Sequence, residues 1–168
     1  MTGLKQVCRN CGVHLEVVKS DGNPENYVNK AIQVRETKKA EFDEIWCVFD
    51  QDHHASHQLI MAKSLAESND IKLAISIPCI EVWLYLHFND NPGSGTCNDI
   101  RQKLRKYVRN YDKSVDFAKH YKNGYHEAVN RSVSRLKSAE ADNDLWRNPS
   151  THMHLLCESI RGDSEFQA

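Results

Sequence analysis

The chain predicts an α/β fold: a parallel sheet flanked by helices, followed by a helical extension. Three observations carry this. Short β-like runs alternate with helical stretches through the first 90 residues. One of those runs, IWCVF at 45–49, is wholly apolar, as suits a parallel strand covered on both faces. After residue 90 there is no strand-like run, only helical periodicity. The reading divides the 168 residues into a core over 1–90 and a helical extension over 91–168.

Each element has a local reason. Residues 13–18 (VHLEVV) alternate and are β-branched, so they read as a strand. Asn23 and Pro24 supply an N-cap and first position, and Tyr27, Val28, Ala31 and Ile32 follow at helical spacing. The apolar run at 45–49 stops abruptly at DQDHH. Leu59, Ala62, Leu65 and Ala66 mark a helix, and residues 72–77 (KLAISI) a further strand stopped by Pro78. Residues 79–88 (CIEVWLYLHF) are apolar nearly all round, which fits a buried helix or strand; Pro78 before them fits a helix start. The loop 89–95 (NDNPGSG) marks the boundary. Helices are expected over 97–110, 114–121 and 123–141. A last one has Asn148 as cap, Pro149 in its first turn, a stripe of Met153, Leu156, Cys157 and Ile160, and Gly162 as its close.

Composition excludes some classes. With 22 basic and 23 acidic residues the net charge is −1, so the protein is not polybasic as a whole. No apolar run approaches the length of a membrane span. The N-terminus lacks the apolar core of a signal peptide, which points to the cytoplasm. The six cysteines are scattered and read as free thiols there. Cys8 and Cys11 form a lone C-x-x-C, half of a zinc site or a redox pair, with no second pair following.

Candidate chemistry sits where the apolar run ends. In an extended chain Asp50 and Asp52 point the same way, placing two carboxylates together. Their repulsion is relieved by a divalent cation, and oxygen ligands suit Mg²⁺ or Mn²⁺. Such a metal activates water or clamps a phosphate. The competing reading is a strand end whose acids simply meet water. His54 is a further ligand or proton carrier, while His53 and His57 fit a solvated loop and helix start. Glu81 is a carboxylate in a run that otherwise reads as buried, where it needs a partner or a metal. It serves the site or sits at a helix start favoured by the dipole.

Between residues 101 and 122 there are eight basic residues against two acidic. Lys103, Arg105, Lys106, Arg109 and Lys113 can neutralise phosphates, and the interleaved Tyr107, Tyr111, Phe117 and Tyr121 can stack bases or pack into the core.

Three ordered blocks resemble RloB-like proteins. DEIWCVFDQDHH at 43–54 resembles their D-x-x-W-C-V-F-D-x-D-x-H block. IPCIEVWLYLHF at 77–88 is similar to N-P-C-F-E-x-W-L-x-x-H-F, and NPSTHMHL at 148–155 to N-P-S-T-x-V-x-x-L. Tyr111-Asp112-Lys113 matches a shorter Y-x-K. The resemblance spans about two-thirds of the chain. It implies a Toprim-type sheet in which Asp50 and Asp52 bind the metal, with Glu81 and His54 as matched catalytic positions. It further implies cleavage of tRNA or DNA phosphodiesters in bacterial anti-phage defence, beside a defence-system partner or a second copy. These proteins also carry an E-G-x-T-E block on a first strand, absent from this sequence. The resemblance thus implies an N-terminally shortened core, by roughly 20–30 residues on βαβ arithmetic, and an alternative role as an inactive nucleic-acid-binding or accessory module.

Overall fold

The computed structural model describes residues 16–38, 42–112 and 116–161, without the side chains of residues 117 and 118. The fold is mixed α/β. Helix α1 (Pro24–Lys38) begins where Asn23 Oδ1 accepts the Asn26 amide at 3.0 Å. Strand β1 (Trp46–Asp50) leads through α2 (Ser56–Glu67) to β2 (Lys72–Ile77). This β-α-β unit makes β1 and β2 parallel, with Trp46 opposite Lys72 and Asp50 opposite Ser76. Both strands therefore end on one edge. Helix α3 (Glu81–Leu86) starts just beyond it, so the apolar stretch after Pro78 is a helix, every residue of which is buried.

The sheet has a third strand that the sequence does not announce. Ser150–Thr151 form β3, antiparallel to β2, giving the order β1-β2-β3. The expected helix start at Asn148 and Pro149 is corrected accordingly, because Ser150 and Thr151 pair with β2 and the helix begins only at Met153. The buried Ser76 and Thr151 hydroxyls bond at 2.8 Å. The last helix, α7, runs Met153–Arg161 and buries Met153, Leu156, Cys157 and Ile160, the expected stripe.

Other boundaries also shift. Helix α4 (Cys97–Leu104) opens with reciprocal capping: Thr96 Oγ1 accepts the Asp99 amide, and Asp99 Oδ2 accepts the Thr96 amide. It ends six residues earlier than expected. The chain then turns so that Val108 and Tyr111 enter the core. Helix α5 is only Phe117–His120, and a 3₁₀ turn (Lys122–Gly124) precedes α6 (Tyr125–Ala141). Residues 13–15 and Gly162 lie outside the described residues, and residues 16–18 form no strand.

Helices cover both faces of the sheet. On one face Val28 of α1 and Ala62 and Ala66 of α2 meet Cys47 of β1. On the other, α3, α4, α6 and α7 pack over Ala74, with Trp46 and Val48 against them. This second cluster draws on residues from both sides of residue 90. Cys47, Cys79 and Cys97 are free thiols.

One close approach fixes the start of α6. A Cβ on Gly124 would lie 2.2 Å from the His87 carbonyl oxygen at the end of α3. Backbone cannot yield there as a side chain would. Gly124→Ala is expected to cost about 1–3 kcal/mol, measured as a lower midpoint in urea.

A groove of about 320 Å³ runs along the outer side of β1, between α1 and residues 16–20. Val17, Tyr27, Ala31, Val34, Trp46 and Val48 line it. In a parallel ladder alternate residues bond to one neighbour. Cys47 and Phe49 face β2, so the main-chain groups of Trp46 and Val48 point to this side, where β1 has no strand partner among the described residues.

Candidate active site at the strand ends

Asp50 closes β1 at the edge where β2 also ends. It is half-buried, and its surroundings are acidic. Burial first, then the charges of Glu81 and Asp52, push its carboxyl up to about 7, against the Ile80 amide and Arg101. A carboxylate held this way gains from any added positive charge.

Asp52 lies close by, but not for the reason the sequence suggests. The strand stops at Asp50, and Asp52 sits in a turn with φ of 42°, a left-handed conformation that aspartate tolerates. Its amide bonds the Pro78 carbonyl at 3.0 Å, and the Gln51 amide bonds the Ser76 carbonyl at 2.9 Å. Two crosslinks thus hold the turn against the end of β2. Asp52 is more exposed than Asp50. Its Oδ1 stands 3.5 Å from His53 Nε2 and 3.9 Å from the Cys97 thiol.

Glu81 is the most buried acid of the site, only 1% exposed, at the first turn of α3. Arg101 Nε donates to its Oε1 at 2.7 Å, and the Tyr111 hydroxyl donates to the same oxygen at 3.3 Å. Its Oε2 is buried with no hydrogen-bond partner. Burial alone would raise its pKa. The Arg101 bond, the Cys79 thiol and the Glu81 amide outweigh that and hold it below the ordinary value.

Arg101 was not singled out by the sequence reading, and Tyr111 was noted there only as a motif match and an interleaved aromatic, not as a partner of Glu81. Cys97 and Arg101 lie one turn apart on α4, so one face of that helix meets Asp52 and Glu81 together. The signal was present in part, because a carboxylate in an apolar run demands a cation, and the nearest basic stretch begins at Arg101.

His54 stands beside Tyr27, which lies within electrostatic reach of Asp50. The His54 ring packs edge-on to Tyr27 at 6.2 Å, and only its main chain bonds Gln51. Of the basic residues, Lys103 donates to the Pro92 carbonyl, and Arg105 Nε to the Tyr111 carbonyl at 3.4 Å. Lys106 and Arg109 are exposed, while Lys113 lies outside the described residues. No group of three or more His, Cys, Asp or Glu among the described residues is arranged to hold a metal. Asp50 and Asp52 still suit a hard cation that takes few protein carboxylates and completes its shell elsewhere, since Asp50 is deficient in positive charge and Glu81 keeps a bare oxygen.

No helix among the described residues is long and apolar enough to cross a membrane. No curated protein and no solved structure matches the chain. The family described as RloB-like protein matches over residues 1–160. With nearly the whole length matched, the chain belongs to the RloB-like protein family.

Proposed function

We propose that this protein is a metal-dependent nuclease that cleaves phosphodiester bonds of tRNA or DNA in the bacterial cytoplasm during anti-phage defence. The observation that carries the reading is the acidic edge itself: Asp50, Asp52 and Glu81 converge beyond the ends of two parallel strands, where α/β proteins bind ligands. The defence role is supported by the family resemblance of the sequence blocks. Asp50 and Asp52 would hold Mg²⁺ or Mn²⁺, which supplies charge to a phosphate when bound. Glu81, pinned by Arg101, keeps a fixed negative charge behind Asp50. His54, held edge-on to Tyr27, belongs to the same proposed site as a proton carrier. Lys103, Arg105, Lys106, Arg109 and Lys113 would bind the nucleic-acid backbone.

The test is incubation with tRNA and with DNA, each with Mg²⁺ or Mn²⁺. Cleavage is expected from the native chain and is expected to vanish, by at least 100-fold on the scale of lost electrostatic catalysis, in the Asp50→Ala/Asp52→Ala double variant. Cleavage that survives in the double variant rules out this site.

The groove beside β1 favours a second reading. The outer side of β1, which has no strand partner among the described residues, suits an added strand from a partner or a second copy. The chain then acts as an inactive nucleic-acid-binding or accessory module. Salt-dependent nucleic-acid binding without turnover, together with a dimeric or partner-bound mass in solution, is the result that would select it.

A further inference from the structure

The aromatic residues of the basic segment divide sharply. Tyr111 and Tyr121 are buried, at 4% and 1% exposure, and serve the core. Tyr107 is 43% exposed. It is nevertheless held firmly. Its ring lies parallel to Phe88, with centroids 4.9 Å apart and planes 9° apart. Tyr85 meets it at 5.7 Å and 79°. Tyr85 is a buried residue of α3, and Phe88, two residues beyond that helix, is half-buried and packs against the same cluster, so the platform beneath Tyr107 is anchored to the core.

The rim of this ring is cationic. Lys106 precedes Tyr107, and Arg109 follows two residues on. Both are exposed, and neither side chain makes a hydrogen bond or ion pair among the described residues. The nearby acids are few: Asp90 lies within electrostatic reach of Tyr85, and Asp112 is exposed beyond Tyr111. A flat aromatic surface fixed in orientation costs little entropy when it is covered, and free cations beside it attract anions. A base joined to its phosphates presents both features at once. An apolar protein side chain would use the ring and leave the cations idle.

We propose that Tyr107 is a stacking platform for a base of single-stranded nucleic acid, with Lys106 and Arg109 neutralising the adjoining phosphates. This deepens the nuclease reading and rests on its nucleic-acid substrate class, but it requires neither the metal nor cleavage.

The experiment is anisotropy of a fluorescein-labelled single-stranded RNA, with EDTA present so that cleavage plays no part. An abasic oligonucleotide of equal length reports charge without bases. Tyr107→Ala is expected to weaken RNA binding roughly 5- to 150-fold, the range of one lost stacking contact, and to leave abasic binding unchanged. Tyr107→Trp retains or tightens RNA binding. Lys106→Gln/Arg109→Gln weakens both probes and lowers the salt slope by about 1.4, for two single-strand phosphate contacts. RNA binding by the native chain in EDTA, with no cleavage once Mg²⁺ or Mn²⁺ is added, would fail the nuclease reading while leaving the platform standing. Equal RNA affinity in Tyr107→Ala, an equal loss for both probes, or no RNA binding by the native chain overturns the proposal. So does a Tyr107→Ala effect confined to self-association, which would make the ring a protein contact.

Discussion

Replacing Arg101 with alanine is expected to destabilise the fold by about 3–5 kcal/mol, the cost of stranding one member of a buried ion pair. Glu81 is 1% exposed, whereas Arg101 is 28% exposed, so nearly all of the penalty falls on the carboxylate left behind. Tyr111, at 3.3 Å, and the neutral Cys79 thiol and Glu81 amide would then be left to hold it, with no cation. The loss should be conditional. In a Glu81→Gln background the uncharged amide needs no cation, and Arg101→Ala should cost less by at least half. A urea-denaturation double-mutant cycle measures this coupling directly. Additive effects of the two substitutions would show that the pair contributes little beyond packing. The prediction matters for function because Arg101 reaches the site from α4, beyond residue 90, and ties the helical part of the chain to the strand ends.

A second large effect is expected on acidification. His87 and His154 are buried, and burial pushes both down to about 4. In the unfolded chain each titrates near 6.5. Between those values the unfolded state binds protons that the folded state refuses. Stability from these two groups is therefore complete above about pH 6.5 and is lost as pH falls toward 4, at most about 3 kcal/mol for each. Asp50 acts in the opposite sense. Its folded value of about 7 exceeds the ordinary carboxylate value, so its contribution is present below about pH 4 and is lost as pH rises through 7. The native chain should thus show a softened decline toward acid. Asp50→Asn should steepen that decline and raise the midpoint at pH 8 in EDTA. Thermal melts across pH 4–8 check both curves. A native midpoint that stays flat while Asp50→Asn also stays flat would contradict the assignment of these buried groups.

Much of the fold was legible because it rests on local pattern. The apolar run ending at Asp50, the capped helix after Asn23 and the stripe of α7 each follow from periodicity or capping chemistry. What was not legible depends on distant partners. Ser150 and Thr151 carry no apolar signal, and they form a strand only because β2 offers its edge and Ser76 a hydroxyl. Helix α4 stops early because Tyr111 must turn inward to Glu81, and no glycine or proline marks that point. The site shows the same division. Asp50, Asp52 and Glu81 were visible as acids beside apolar runs. Their convergence was anticipated through extended geometry, yet it arises from a turn at Asp52. Arg101 was visible only as one of eight basic residues, since sequence does not say which helix face meets a buried acid. His54 adjoins the acidic pair in sequence, and its edge-on contact with Tyr27 was not legible there.

The most direct test of the acidic edge is Mn²⁺ binding to the full chain, followed by the loss of the free-ion paramagnetic signal. The native chain should bind Mn²⁺, and Mg²⁺ should compete. Asp50→Ala/Asp52→Ala should lose that binding while melting, without metal at pH 8, no lower than the native chain. Equal Mn²⁺ binding by the double variant, or none by the native chain, would contradict the metal site on which the proposed chemistry depends.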